Sequence, residues 1–378
     1  METSAEQQQK GKPGKRTWAR RLLVGVGVAA AAGASWVAAH HIPRELPPPL
    51  FTEADLLPLP PPGDNGWLML AGPGAGARTL SLPPDLVVMV HAAEEGGPLL
   101  DRARAKREAI SAFTASPEAQ GALRTLEQAV AMPRFADGCS PRVEPQCLVF
   151  PMFNARRVGS LEALRRGIDG DWSGALSLSA RLTRADVDAA TSSRMLISHL
   201  IAIASLRQGL EVSAALLEGY LQARGQGAAP LDPAATEALR AADVALGALD
   251  PAALSARRAM IAEYLMTRSL IEQPAGEARL HIPGSLLLLD KAATLEEANH
   301  RFAQLSALAA APPATRPASE GPRAGAFWWA YNPVGKLVLD HLYVVWDTPL
   351  QKLESDRALI EAARTRVRAA VRAIVHGS

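Results

Sequence analysis

The sequence predicts a mainly α-helical chain with a single N-terminal transmembrane helix and an exported body. That body is either a bundle of helical hairpins or a solenoid like that of tetratricopeptide repeats. The membrane helix is predicted by an uncharged apolar run that follows a basic leader. The helical body is predicted by apolar residues that recur at three- and four-residue spacing and by an aromatic content of only 5%. No clean period of about 34 residues is present, so a regular repeat array is not established.

The N-terminal segment carries the clearest individual signal. Residues 22–39 contain 18 residues without a charge, and as a helix they would extend about 27 Å, close to the roughly 30 Å hydrocarbon core of a bilayer. Residues 1–21 hold six basic and two acidic residues, and positive charge stays on the cytoplasmic side. We therefore expect a cytoplasmic tail over 1–21 and a membrane anchor over 22–39. A cleaved signal peptide is the alternative.

The charge distribution argues against a nucleic-acid partner. The net charge is +2, of which the leader contributes +4 (six basic minus two acidic), so the remaining residues carry about −2. Nucleic-acid binding needs a basic patch or stripe, and nucleic acid is therefore excluded as a partner. We expect a single-pass protein of the bacterial inner membrane with its body in the periplasm.

Proline-rich and glycine-rich stretches divide the exported part. Residues 40–63 contain eight prolines and predict a stiff linker of polyproline character that holds the body away from the membrane. A helical domain is expected over 64–310, a second linker over 311–325, and an aromatic segment with a C-terminal helix over 326–378. That last part is expected to pack on the helical domain.

Local signals place several of the helices. Ser116-Pro117, Asp232-Pro233 and Asp250-Pro251 each combine a capping residue with a first-turn proline. Residues 195–221 have apolar residues at helical spacing and predict an apolar stripe on one face. The C-terminal helix carries arginines on one side, which we expect to be a solvated face, with a surface for anionic lipid as the alternative; these are Arg357, Arg364, Arg368 and Arg372.

The two cysteines lie close together, in "CSPRVEPQC". In an oxidising compartment Cys139 and Cys147 predict a disulfide, which would stabilise the fold by roughly 2–3 kcal/mol in the chain-entropy model. A redox or metal pair and two free thiols are the alternatives.

Four stretches of the sequence resemble a pattern found in other proteins: "LEQAVAMPRFADG", "LEALRRGIDGDWSGALSLSARL", "SRMLISHLIAIASLRQGLEVSAALLEGYL" and "NPVGKLVLDHL". Together they resemble a group of uncharacterised bacterial membrane-anchored α-helical proteins, patchily over 125–342. The cysteine loop, and Trp172 and Ser173 in the hairpin turn, depart from that pattern. The resemblance implies a helical fold and envelope anchoring, and it implies no activity.

No motif predicts catalysis, a metal site or a cofactor. The eight histidines form no His-Glu-x-x-His pair, and neither Gly-x-Ser-x-Gly nor Ser-x-x-Lys occurs. "AGPGAGAR" lacks the Gly-Lys-Ser/Thr ending of a phosphate-binding loop. His199 lies in the apolar helix and is expected to be a hydrogen-bonded structural histidine. The chain is therefore expected to have no catalytic residues and no cofactor.

An aromatic segment over residues 327–346 supplies the candidate binding residues. Aromatic side chains at this density bind partners, sugars or peptides, or else they anchor a terminal helix onto a core of small residues. The candidates are Trp328, Trp329, Tyr331, Asn332, Tyr343 and Trp346. Within the anchor, Gly25, Ala29 and Gly33 are four apart, a spacing that lets two membrane helices approach and predicts a homodimer.

The expected function is a non-enzymatic envelope scaffold that binds another envelope protein through its helical surface. Two alternatives remain at this point. One is an envelope hydrolase or lipid-modifying enzyme, and the other is a ligand-binding sensor that uses the aromatic segment over 327–346.

Overall fold

A computed structural model describes residues 15–39, 42–71, 80–91, 98–139, 149–272, 289–310, 332–342 and 347–376. The described residues form fourteen α-helices and no β-strand, which confirms the predicted mainly α fold. The helices are α1 (Lys15–Ala39), α2 (Trp67–Ala71), α3 (Pro84–His91), α4 (Leu99–Ala105), α5 (Arg107–Thr114), α6 (Pro117–Ala131), α7 (Val149–Ile168), α8 (Trp172–Ser192), α9 (Leu196–Gly225), α10 (Pro233–Ala248), α11 (Arg257–Glu272), α12 (Lys291–Ala310), α13 (Pro333–Leu342) and α14 (Asp347–His376).

Capping residues set several helix starts as the sequence predicted. Ser116 Oγ accepts a hydrogen bond from the Ala119 amide at 3.3 Å and begins α6. Asp232 begins α10 by accepting from Ala235. Asp250 also caps, but it starts a four-residue 3₁₀ turn over Pro251–Leu254, and α11 begins only at Arg257. The predicted start of this helix was therefore wrong by about two turns.

The long apolar helix α9 lies at the centre of the body. Helices α7, α8 and α14 pack around it, so buried residues lie on all of its sides rather than on the single predicted stripe. It is the one described helix that is both long enough and apolar enough to cross a membrane, and 72% of its apolar window is buried within the body. That burial is typical of a core helix.

The C-terminal helix α14 packs on α9 and α10. Arg368 Nε donates to Asp243 Oδ1 at 2.7 Å, and the Arg372 guanidinium lies 3.9 Å from the same carboxylate. Arg364, with only 13% of its side chain exposed, lies against the Gly247 carbonyl at 3.5 Å. Three of the four arginines predicted to form a solvated or lipid-facing surface therefore face α10. Acidic and carbonyl groups on α10, which the sequence did not link to α14, attract them.

The side chains of α1 from Leu23 to Ser35 are exposed. Leu23, Val24, Val26 and Val28 keep 58–72% of their surface accessible. A side chain added at Gly25 or Gly33 would meet nothing within 4 Å. The apolar part with described side chains is Leu23–Ala39, and whether α1 spans a membrane remains a prediction.

The proline-rich segment lies along the helical body instead of standing away from it. We refer to residues 44–57 as the strap. The strap runs antiparallel to α11, because Leu56 packs on Ile261 and Ala262 while Pro47 lies near Arg268 at the other end of the helix. The predicted spacer is thus wrong for this part of the chain. Proline carbonyls have no internal partners in an extended segment, so they are available to donors on the body.

Candidate functional site

Only one of the six predicted binding residues lies within the described part of the chain. Trp328, Trp329, Tyr331, Tyr343 and Trp346 lie outside the described residues, so their role remains a prediction. Cys147 also lies outside them, and the predicted disulfide remains a prediction. Its expected partner, Cys139, is fully buried.

Asn332 lies in the interior, where its side chain joins two helices. Its Oδ1 accepts hydrogen bonds from the amides of Asp290 (3.0 Å) and Gly335 (3.2 Å), and its Nδ2 donates to Thr294 Oγ1 at 2.9 Å. Its φ of 51° is left-handed, a conformation that asparagine tolerates better than most residues. A Cβ at Gly335 would collide with Thr294 Oγ1. The Asn-Pro-x-Gly pattern therefore builds the α12–α13 junction.

A buried carboxylate holds the loop before Cys139 against the start of α9. Asp137 accepts from the amides of Cys139 (2.9 Å) and Arg194 (2.7 Å) and from the Ser198 hydroxyl. Burial raises the pKa of Asp137, and these hydrogen bonds act in the opposite direction. These hydrogen bonds fix the backbone of the loop against the start of α9.

An ion pair is buried between α7, α8 and α9. Arg156 and Asp186 each keep only 4% of their side chains exposed, and Arg156 Nε donates to Asp186 Oδ1 at 2.7 Å. Burial raises the pKa of Asp186 against the opposing effect of the Arg156 charge. A Cβ at Gly209 would lie 2.5 Å from Arg156 Nη2 and 2.6 Å from Asp186 Oδ2. Glycine at this position of α9 makes room for the pair.

His199 is buried, as expected, but it is not clearly hydrogen-bonded. Within the described part of the structure, neither ring nitrogen has a hydrogen-bond partner of standard geometry. Burial lowers the pKa of His199 to about 4. The Leu254 backbone raises this pKa, and the positive charge of Arg258 lowers it further. The ring is therefore neutral at physiological pH and serves as a packing group.

The groove that holds the strap is formed by polar side chains of α11 and α12 around one tyrosine hydroxyl. Tyr264 Oη accepts from the Leu50 amide at 2.8 Å and from Arg268 Nη1 at 3.2 Å, and it donates to Asn299 Oδ1 at 2.6 Å. The ring itself is fully buried and meets Phe302 edge-on, with centroids 5.5 Å apart. We call this set, Tyr264, Arg268, Asn299 and Phe302, the strap groove.

The strap groove contacts the backbone of consecutive strap residues. Arg268 Nη2 donates to the Pro47 carbonyl at 3.0 Å, and Asn299 Nδ2 donates to the Pro48 carbonyl at 3.0 Å. Phe51 stands perpendicular to the Tyr264 ring with centroids 5.5 Å apart. The groove thus combines donors for carbonyls with an aromatic wall, the arrangement that binds polyproline helices.

Two further clefts open between helices of the body. A cleft of about 400 Å³ lies between α4, α9 and α14; its Arg366 pairs with Glu211, and its Arg207 lies 3.3 Å from Asp356. A second, of about 900 Å³, is lined mainly by apolar and small residues of α2, α5, α6 and α7. Neither lining contains a histidine or a cysteine that could activate a nucleophile. Within the described ranges, no three His, Cys, Asp or Glu side chains come together as a metal site would require.

Sequence reasoning missed the strap groove. The i, i+4 spacing of Tyr264 and Arg268 on one face of α11 was available as a signal. Pro47, which accepts from Arg268, is 221 residues away from it in the sequence, and no local pattern indicates that contact. The proline content by itself predicts only a spacer.

Comparison with known proteins adds no further assignment. No protein-family model, no curated protein and no solved structure matches the chain. The fold and the groove define an all-helical body with a docked proline-rich strap, and the resemblance to membrane-anchored helical proteins remains a prediction.

Proposed function

We propose that the protein is a non-enzymatic scaffold anchored in the bacterial inner membrane, with its helical body in the periplasm, where it binds another envelope protein. The observation that carries this proposal is the attachment of the body close to the predicted anchor. Arg44 lies 3.6 Å from Asp290, and Arg44 follows the last residue of α1, Ala39, by only five residues. Five residues span at most about 18 Å, so an anchored α1 would hold the body against the bilayer surface.

The internal use of polar groups supports a binding role over an enzymatic one. Asp137 and the Arg156–Asp186 pair form hydrogen bonds within the body, and the linings of the two clefts described above contain no histidine or cysteine. Catalytic groups are expected to face a cleft, where substrate can reach them.

The test of location is a C-terminal alkaline phosphatase fusion to the full-length chain, made in parallel with a fusion to green fluorescent protein. A periplasmic body predicts an active phosphatase and no fluorescence. The reverse result would place the body in the cytoplasm and end the proposed topology.

The test of binding is in-cell cross-linking of the full-length protein, followed by purification. The comparison is a variant in which Trp328, Trp329, Tyr331, Tyr343 and Trp346 are all changed to serine. A control variant, Val244→Ser, alters a side chain that is 72% exposed on α10. Recovery of one envelope protein with wild type and control but not with the aromatic variant supports the scaffold and locates the contact. Loss of the cross-link to background in all three chains rejects it.

A ligand-binding sensor is a second candidate, favoured by the cleft between α4, α9 and α14. Gln208 lines that cleft with only 6% of its surface exposed, and its Nε2 has no hydrogen-bond partner in the described part of the structure. A polar ligand that accepts from this amide would raise the melting temperature of the full-length chain, and Gln208→Leu would abolish that shift. A screen of sugars, amino acids and short peptides without any Gln208-dependent shift would exclude this candidate.

A further inference from the structure

The strap is held as a proline-rich ligand would be held. Prolines donate no backbone hydrogen bond, so an extended proline-rich segment is recognised through its carbonyls and its apolar faces. The strap groove uses those features: Arg268 and Asn299 donate to the carbonyls of Pro47 and Pro48, and the Tyr264 ring meets Phe51 edge-to-face. These contacts do not depend on the particular side chains of Pro47 and Pro48.

The strap groove is braced by contacts that do not involve the strap. Arg268 Nε forms an ion pair with Glu272 at 2.7 Å, four residues along α11. Tyr264 Oη donates to Asn299 Oδ1, and Tyr264 packs on Phe302. The donors therefore keep their positions when the strap leaves. Because such a site is preorganised, ordering its side chains costs less free energy when a ligand binds.

We propose that the strap groove is a docking site for an extended proline-rich segment of a partner protein, and that the chain's own strap occupies this site in cis. The inference rests on the proposed scaffold function and names the chemistry of the partner: a polyproline stretch followed by an amide donor and an aromatic residue. Partner binding then requires the strap to be displaced.

Tethering makes the strap a strong competitor for the groove. A short tether gives the strap an effective concentration in the millimolar range, so a free segment with the same contacts binds the intact chain weakly. Leu56 packs on Ile261 and Ala262, and it holds the far end of the strap while the proline contacts open. The site would therefore open locally without release of the whole segment.

The experiment measures binding of a fluorescent peptide with the sequence of residues 43–57 to the full-length protein in detergent micelles. In the test variant, residues 44–51 are replaced by an equal number of glycine and serine residues, which removes the proline contacts and keeps the tether length. We expect the peptide to bind this variant at least tenfold more tightly than wild type. Adding Tyr264→Phe, which removes only the hydroxyl, is expected to weaken that binding about two- to tenfold.

Matched controls separate the groove from non-specific binding. Arg240→Ala changes an exposed arginine on α10 and must leave peptide affinity unchanged. A peptide with Pro47 and Pro48 changed to glycine must bind the test variant more weakly, because it loses the extended conformation. Equal affinity for wild type and test variant, or no effect of Tyr264→Phe, would overturn the proposal.

A milder variant covers failure of the test variant to fold. Phe51→Ser removes the aromatic contact and leaves the prolines in place, so its peptide affinity must lie above that of wild type. If Phe51→Ser melts like wild type yet binds no better, the proposal is likewise rejected. The outcome is independent of the in-cell cross-linking, since purified protein can bind the peptide when no cellular partner is recovered, and the reverse also holds.

Discussion

Individual residues in the body are constrained mainly by burial. His199 has no well-formed hydrogen bond in the described structure and a pKa lowered to about 4, and Gly209 leaves room for the Arg156–Asp186 pair. Neither constraint is visible in a motif, because each depends on which helices surround the position. Both lead to measurable effects on the free energy of unfolding.

The pH dependence of stability provides the first residue-scale prediction. The pKa of His199 is depressed in the folded state, so its contribution to stability is fully present above pH 6.5 and is lost as the pH falls toward 4. Between pH 7.5 and 4.5 this corresponds to roughly 2–3 kcal/mol. His199→Leu should remove that part of the pH dependence in chemical unfolding. Identical pH profiles for wild type and His199→Leu would refute the assignment.

Paired glycine substitutions provide the second residue-scale prediction. Gly209→Ala pushes a methyl group into the buried ion pair and should destabilise the fold by about 3 kcal/mol. Gly121→Ala, in α6 with nothing within 4 Å of the added Cβ, should stabilise by about 0.5–1 kcal/mol. Thermal unfolding followed by circular dichroism distinguishes the two, and similar effects at both sites would contradict the packing described for Gly209.

At the scale of elements, charge pairs determine how the last helix docks. The Arg368–Asp243 contact between α14 and α10 leaves about a quarter of each side chain exposed, at 26% and 22%. The Arg104–Asp101 pair within α4 is far more exposed, at 49% and 59%. Because solvent screens exposed charges, the two pairs should differ in strength although both look well formed.

A double-mutant cycle tests this difference. Arg368 and Asp243 are replaced by alanine in two single variants and one double variant. The coupling free energy should be about 1 kcal/mol and should fall in high salt. The same cycle on Arg104 and Asp101 should give less than about 0.5 kcal/mol. Equal coupling in both cycles would mean that the contact of α14 with α10 does not exist in solution.

For the whole molecule, the attachment of the strap determines how the body is connected to the predicted anchor. The contacts that hold it include the Arg44–Asp290 ion pair, the Tyr264, Arg268 and Asn299 hydrogen bonds, the Arg194 hydrogen bond to the Leu57 carbonyl, and the packing of Phe51 and Leu56. A docked strap gives a fixed geometry, whereas the spacer predicted from sequence would let the body move. Protease access distinguishes these two connections.

Limited proteolysis is therefore the whole-molecule prediction. Arg268→Ala with Asn299→Ala removes both donors to the proline carbonyls, and cleavage within residues 44–57 should become at least fivefold faster. Arg240→Ala serves as the surface control and should leave the rate unchanged. A wild-type strap that is already cleaved as fast as in the double variant would show that it is not docked.

The sequence by itself determined the local features. The mainly α fold, the capped starts at Ser116 and Asp232 and the central apolar helix followed from spacing and capping, which act over a few residues. The candidate site was not predictable in this way. The five aromatic candidates all lie outside the described residues, and the strap groove is formed by residues that belong to no motif.

Only the tertiary structure decided which partners these residues contact. This holds for the proline-rich segment, for the arginines of α14 and for the glycine at position 209. Pro47 meets Arg268 across 221 residues and Arg368 meets Asp243 across 125, separations over which periodicity carries no information. A proline carbonyl can pair with many donors, and a surface arginine can pair with many acceptors, at similar free energy. Which one it meets depends on how the helices pack, and that packing is set by burial of the whole apolar core around α9.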